Sequence, residues 1–305
     1  MCLPKFFDQR NPIIAYLTNL TIIGEMFQIS GLVITYNEEK NIAKCIESLS
    51  LVCDEIIIID SYSKDKTKEI ALSLGAKVVE QTFLGDGQQR IFGLQYCKND
   101  WILNLDADER LDLDSYEFIK SQQYLSLPYD AYNFRRKNHL KDQRIDFAGW
   151  YPSYTCRFFN QKTAQPATAK VHQSVVAQNM KRTNLHLIHY GWDSFHQIIS
   201  KYNQYTNWQA EEYLEQNKNI FALSPVIHGI YSFFRCYFLK SGIFNGVDGL
   251  TFSLMQAFFS YMKYAKYLKL KKEQPKTDAY SNTELNGKLQ FPNLFPKTKV
   301  LKPNI

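Results

Sequence analysis

Two carboxylates close an apolar run in this chain, Asp106 and Asp108 in Trp101-Ile102-Leu103-Asn104-Leu105-Asp106-Ala107-Asp108. Hard divalent cations such as Mn²⁺ and Mg²⁺ take carboxylate oxygens and keep coordination places for phosphate. An Asp-x-Asp pair alone says little. Here the preceding run reads as a strand, so the backbone turns where the pair lies and both side chains can reach one point. A further acid, Asp60, ends Glu55-Ile56-Ile57-Ile58-Ile59 and suits hydrogen bonds from a base or ribose. Thr35-Tyr36-Asn37-Glu38 stands at the end of another such run, and Arg90 is a cation able to meet a nucleotide.

Other chemistries lack their residues. No His-Glu-x-x-His and no Cys-x-x-Cys occurs, which argues against a zinc hydrolase, a zinc knuckle and a redox motif. Gly85-x-Gly87 resembles part of a dinucleotide loop, but Arg90 occupies the third glycine position. His186 and His189 lie three apart in a strand-like segment. That puts them on opposite faces, as satisfied core or surface residues.

The elements that must position these groups alternate. Residues 29–36 form a strand, and Asn37 is placed to cap a helix with Glu38 and Glu39 in its first turn. Ile42, Cys45, Ile46 and Leu49 share one helical face. Residues 55–60 are a strand rich in β-branched side chains, of the kind covered on both faces. Asp65 caps a helix that ends at Gly75. A strand at 77–80, a helix at 88–97 and a strand at 101–105 follow. The order predicts an α/β fold with an open, mostly parallel, doubly wound sheet. Ligands bind at the carboxyl ends of strands in such sheets, and the three polar clusters converge there. Residues 130–138, 154–160 and 183–190 read as later strands. Residues 194–217, 221–241 and 247–270 read as helices, the last two rich in aromatics and lysines.

The chain has 305 residues, 45% of them hydrophobic, enough for one catalytic domain with a helical annex. Net charge is +6, without a basic block or a nucleic-acid motif, so nucleic acid is not an expected partner. Scattered cysteines point to a reducing compartment on the cytosolic side. No uninterrupted apolar run is long enough to cross a bilayer. Met26 precedes the first strong strand, so residues 1–25 read as an extension outside the native start. The expected organisation is an N-terminal extension (1–28), a catalytic domain (29–192), a C-terminal helical membrane-associating region (193–272) and a flexible tail (273–305).

Together the clusters resemble the inverting glycosyltransferases of family 2 with the GT-A fold. The matching residues are Ile34-Thr35-Tyr36-Asn37-Glu38-Glu39, Ile59-Asp60-Ser61 through Thr67, Gln89-Arg90, and Asp100-Trp101 through Glu109. Gly149-Trp150-Tyr151-Pro152, Arg157-Phe158-Phe159, Val171-His172 and Gly246-Val247-Asp248-Gly249 resemble the branch containing lipopolysaccharide core β-1,4-glucosyltransferases. The resemblance spans about residues 29–270.

It implies transfer of a hexose, taken as glucose, from a UDP-sugar to a cell-envelope glycan or glycolipid. Thr35, Asn37, Glu38, Asp60 and Arg90 would line the nucleotide pocket. Asp106 and Asp108 would hold nucleotide and a Mn²⁺ or Mg²⁺ ion. Where the branch carries acids after Val-His and after Trp-Tyr-Pro, this chain has Gln173 and Ser153. An amide takes no proton at neutral pH, so the general base falls to His172, Asp146 or Glu109, with His172 preferred. The last helix suits the inner leaflet, Lys263 and Lys266 at headgroups and Phe258, Phe259 and Tyr261 at the acyl boundary. Two other enzyme readings are transfer to a polyprenyl phosphate or to a protein. A reading of another class is a nucleotide-sugar-binding scaffold that has lost its base.

Overall fold

The computed structural model describes residues 28–167 and 175–273. The expectations for a start at Met26, for His172 and for the tail lie outside the described residues.

The first half alternates as expected: β1 (Ile29–Thr35), α1 (Ile42–Ser50), β2 (Glu55–Asp60), α2 (Thr67–Ser73), β3 (Lys77–Glu80), α3 (Asp86–Leu94) and β4 (Trp101–Asp106). β1 pairs in parallel with both β2 and β4, and β2 with β3. Buried Ile42, Cys45, Ile46 and Leu49 of α1 pack on one face of this sheet, while Phe92 and Leu94 of α3 pack on the other. Such two-sided cover explains why β2 is β-branched throughout.

The second half turns mixed. β5 (Glu109–Leu111) precedes α4 (Leu113–Lys120); β6 (Ala131–Leu140), β7 (Gln143–Ile145) and β8 (Ser153–Asn160) follow. After the small hairpin of β9 (Ala164–Pro166) and β10 (Val175–Ala177) comes the long β11 (Met180–Trp192). The nine-stranded sheet runs β3-β2-β1-β4-β8-β6-β11-β5, with β7 on β6. β8 is antiparallel to β4 and β6, whereas β11 is parallel to β6.

Three helices complete the described chain: α5 (Phe195–Glu215), α6 (Ser224–Phe234) and α7 (Gly246–Glu273). A π turn (Arg235–Leu239) and a short 3-10 helix (Gly242–Asn245) join the last two. Phe147, Trp150, Trp192, Cys236, Phe252 and Phe259 form the core that ties them to the sheet. No described helix is long and apolar enough to cross a membrane.

Two local expectations are corrected. Asn37 does not cap α1; its φ of 55° is left-handed, and the helix begins only at Ile42 after Asn41. α3 begins at Asp86 rather than residue 88. The expected leaflet contacts also divide. Phe258 and Tyr261 are exposed, but Phe259 is buried and stacks on Tyr202 at 4.5 Å. Lys266 donates to the Asn203 carbonyl and the Thr206 hydroxyl at 2.8 Å, which packs it against α5.

Candidate active site

The loops after β1 and β2 each turn on a left-handed residue, Asn37 and Tyr62. They are laced together. Asn37 N–H donates to Ser63 Oγ (2.8 Å), Glu38 N–H to Thr67 Oγ1 (2.7 Å) and Glu39 N–H to Asp65 (3.1 Å). In return Asn37 Oδ1 accepts from Lys64 N–H at 2.8 Å. Asp60 anchors the lacing: fully buried, it accepts from the Ser63 amide at 2.8 Å and from the same serine's hydroxyl. Local Asx and Ser/Thr bonds of this kind fix loop shape without regular structure.

Asp106 and Asp108 stand two residues apart in opposite settings. The carboxylate of Asp106 meets the guanidiniums of Arg90 and Arg157, one on each oxygen. Burial would raise its pKa, but Arg157 and Arg90 overcome that and hold it well below the usual carboxylate range. Arg90 also bonds Asp86 and Asn104, and it is buried. It is thus part of an internal ion network rather than a solvated helix face. Glu109, 0% exposed, pairs with Arg157 at 2.7 Å and accepts from the Asp106 amide at 3.0 Å. That burial removes Glu109 from the candidates for a general base: an acceptor hydroxyl has no route to it.

Asp108 faces a cleft of about 540 Å³. Its Oδ2 lies 3.4 Å from His189 Nε2, and its Oδ1 is buried with no protein partner. Burial pushes the Asp108 pKa up, and His189 more than offsets this. Asn138 Oδ1 lies 2.8 Å from His189 Nδ1 and fixes the ring. Gly191 permits the arrangement, since a Cβ there would come within 2.5 Å of the His189 ring and 3.2 Å of Asp108 Oδ2. Asn37, Glu38 and Lys201 line the same cleft. Burial first, then the Asp108 charge, raises Glu38 from 4.5 to about 7. At Lys201 burial lowers the pKa, but Tyr205 and Asp108 outweigh it and leave the ammonium firmly charged.

Of the sequence candidates, the structure brings Asn37, Glu38 and Asp108 onto one wall. Thr35 is buried at the end of β1, its hydroxyl without a protein partner. Asp60, Arg90 and Asp106 hold the strand ends that form that wall. Asp146 is exposed and 3.6 Å from Arg144. It follows β7, whose Ile145 pairs with Asn138, the residue that holds His189.

His189, Gly191, Arg157 and Lys201 are the additions. His186 and His189 do take different partners as expected, but only His186, bonded to Asp114 and to Tyr151, is remote from the cleft. His186, Asp112 and Asp114 group closely enough to hold a metal ion. Yet Asp112 is the α4 cap and pairs with Lys137, and both His186 nitrogens are taken. A buried acid with one open oxygen, sharing a cleft with an ammonium, suits a cation and a phosphorylated ligand together.

The sequence model of glycosyl transferase family 2 matches residues 30–120, which include Asn37, Glu38 and Asp108 of the cleft. A Rickettsia bellii protein described as an uncharacterized glycosyltransferase is 35% identical over 257 residues, covering 80% of this chain and 87% of its own. The lipopolysaccharide core biosynthesis glycosyltransferase LpsC of Rhizobium meliloti is 27% identical over 248 residues, covering 78% of this chain and 91% of its own. Among solved structures, glucosyl-3-phosphoglycerate synthase from Mycobacterium tuberculosis, in complex with Mn²⁺, uridine diphosphate and glucosyl-3-phosphoglycerate, aligns with a TM-score of 0.40. It is 16% identical and covers 62% of this chain and 80% of its own. The likeness to the Rickettsia protein over most of both chains, with the family match over residues 30–120, makes this chain a glycosyltransferase of family 2.

Proposed function

We propose that the chain transfers a hexose, glucose in the first instance, from a UDP-sugar to a lipopolysaccharide-core or other cell-envelope glycan, with inversion. The reaction takes place on the inner face of the membrane. The observation that carries this reading is the partnerless Asp108 Oδ1 at the cleft that Lys201 also lines. The LpsC relative supports the acceptor class through its name alone.

The donor set fits a divalent cation, Mn²⁺ or Mg²⁺: a hard carboxylate oxygen, buried and unsatisfied, beside open space. When bound at Asp108, the cation neutralises charge on the leaving diphosphate. Lys201 adds a second positive charge to the same cleft. Asp106 acts as a positioning residue: its two arginines hold the β4 end rigid, so Asp108 is aimed at the cleft. Asn37 and Glu38, fixed by the laced loops, bind the nucleotide side.

Inversion is a single displacement. The acceptor hydroxyl oxygen attacks the anomeric carbon, the bond to the diphosphate oxygen breaks on the opposite face, and one base takes the hydroxyl proton. We assign that base to Asp146 or His172. The strand pairing of Ile145 with Asn138, next to His189, supports Asp146.

The test is transfer of labelled glucose from UDP-glucose to truncated lipopolysaccharide, with Asp146→Asn and His172→Ala beside the parent. The variant that keeps donor binding but loses about a hundredfold or more in turnover identifies the base. Product on polyprenyl phosphate or on protein alone would replace the acceptor class. No transfer to any acceptor, with donor binding intact, would favour the scaffold reading.

A further inference from the structure

The two helices α6 and α7 carry large apolar groups on faces open to solvent. They run antiparallel, and their contact is made by small residues. Gly229 meets Ala257 and Tyr261, the Ser232 hydroxyl donates to the Gln256 carbonyl at 3.3 Å, and Gly249 sits against the Gly242 carbonyl so closely that a Cβ would lie 1.8 Å from its oxygen. α7 buries Phe252, Phe259 and Tyr267 on its inner side, but both helices also carry large apolar side chains on the outside. On α6 these are Ile227, Ile230, Tyr231 and Phe234; on α7 they are Leu250, Leu254, Phe258 and Tyr261, all exposed at helical spacing. A helix lying on a protein core in water shows the reverse pattern. Small residues between helices with large apolar ones outside is the arrangement suited to lipid.

The pattern culminates at the turn between them. Leu239, Phe244 and Val247 are 76%, 84% and 80% exposed. Exposed apolar surface of this extent marks an interaction site. Charge identifies the partner. No Asp or Glu occurs between Glu215 and Asp248, while Arg235 and Lys240 are exposed beside the apolar tip. Cations next to inserted apolar groups match an anionic lipid surface.

We infer that the α6–α7 corner inserts into the acyl boundary of an anionic bilayer leaflet, with Leu239, Phe244 and Val247 in hydrocarbon and Arg235 and Lys240 at the headgroups. This deepens the membrane-face part of the proposed function, and it moves the contact from the lysine-rich end of α7 to the opposite end. It also bears on the acceptor. The Ala148 amide donates to the Lys240 carbonyl at 2.8 Å, and Gln143 Nε2 donates to Asp248 at 2.9 Å. The segment carrying Asp146 is thereby tied to the inserted corner, so a lipid-anchored acceptor would be presented beside it.

The test is cosedimentation of the full chain with vesicles of phosphatidylethanolamine and phosphatidylglycerol, three parts to one, at low salt and in 1 M salt. The parent binds at low salt and retains most of its binding in 1 M salt, where headgroup attraction is screened. The doubly substituted Leu239→Gln/Phe244→Gln protein loses at least tenfold in partition. The Arg235→Gln/Lys240→Gln protein loses roughly fivefold per cation at low salt. UDP binding with Mn²⁺ stays at the parent value in both, which separates this inference from the reading of the cleft. A parent that stays in the supernatant, or is released fully by 1 M salt, overturns it. So does a Leu239→Gln/Phe244→Gln protein that binds vesicles like the parent, or one whose only change is from dimer to monomer.

Discussion

The cleft and the α6–α7 corner treat burial in opposite ways. At the cleft, charged groups are taken out of water and matched: Asp106 with Arg90 and Arg157, Glu109 with Arg157, Asp108 with His189. At the corner, glycine and serine are buried and phenylalanine, leucine and valine are left outside. Buried ions persist only when paired, so the cleft's pairs fix geometry more than they add stability. Exposed apolar groups persist only with a partner, so the corner's surface records an environment other than water. A buried acid with an open oxygen at the cleft, and a turn where several large apolar groups stand beside exposed cations, are both places where the fold leaves an interaction unmade.

The sharpest way to break this comparison is to remove the open oxygen. Asp108→Asn keeps the shape but weakens the cation ligand, and turnover from UDP-glucose is expected to fall on the order of a hundredfold or more. A matched pair should respond differently. Arg157→Ala strips Asp106 and Glu109 of a shared partner that is only 1% exposed. It should cost about 3–5 kcal/mol in urea unfolding, with activity lost through folding.

Gly191→Ala asks whether the His189–Asp108 contact is itself functional. The added methyl must displace the His189 ring, and kcat/KM is expected to fall about tenfold while thermal stability changes little. The smallest effect is at Glu38. Its native pKa of about 7 exceeds the ordinary 4.5, so between those values the native state holds more protons than the unfolded one. Stability therefore falls as pH rises through that window, and the loss persists above it. Glu38→Gln should match the parent near pH 4 and melt roughly 2–4 °C higher at pH 8.

The parallel half of the sheet was legible because its signals are local. A β-branched run announced β2, an apolar run announced β4, the helical spacing of Ile42, Cys45, Ile46 and Leu49 announced α1, and strand ends located Asp60, Asp106 and Asp108. Asn37 was misjudged as a helix cap because its side chain bonds the neighbouring loop instead, through Lys64 N–H. The rest of the cleft depends on pairings distant in sequence. His189 meets Asp108 through the antiparallel pairing of β11 with β5, where it stands opposite Glu109. Arg157 sits mid-strand and reaches Asp106 only because β8 lies antiparallel to β4. Gly191 and Lys201 carry no local pattern at all. In α6, composition marked an apolar helix, but which side would face out depended on glycine and serine packing against α7.

Calorimetry of UDP binding with Mn²⁺, on the parent and on Asp108→Ala, tests the assignment of the donor site most directly. The account predicts binding to the parent that disappears without the cation and is lost in Asp108→Ala. Equal binding to both proteins would contradict it, since the open oxygen of Asp108 would then have no part in holding the donor.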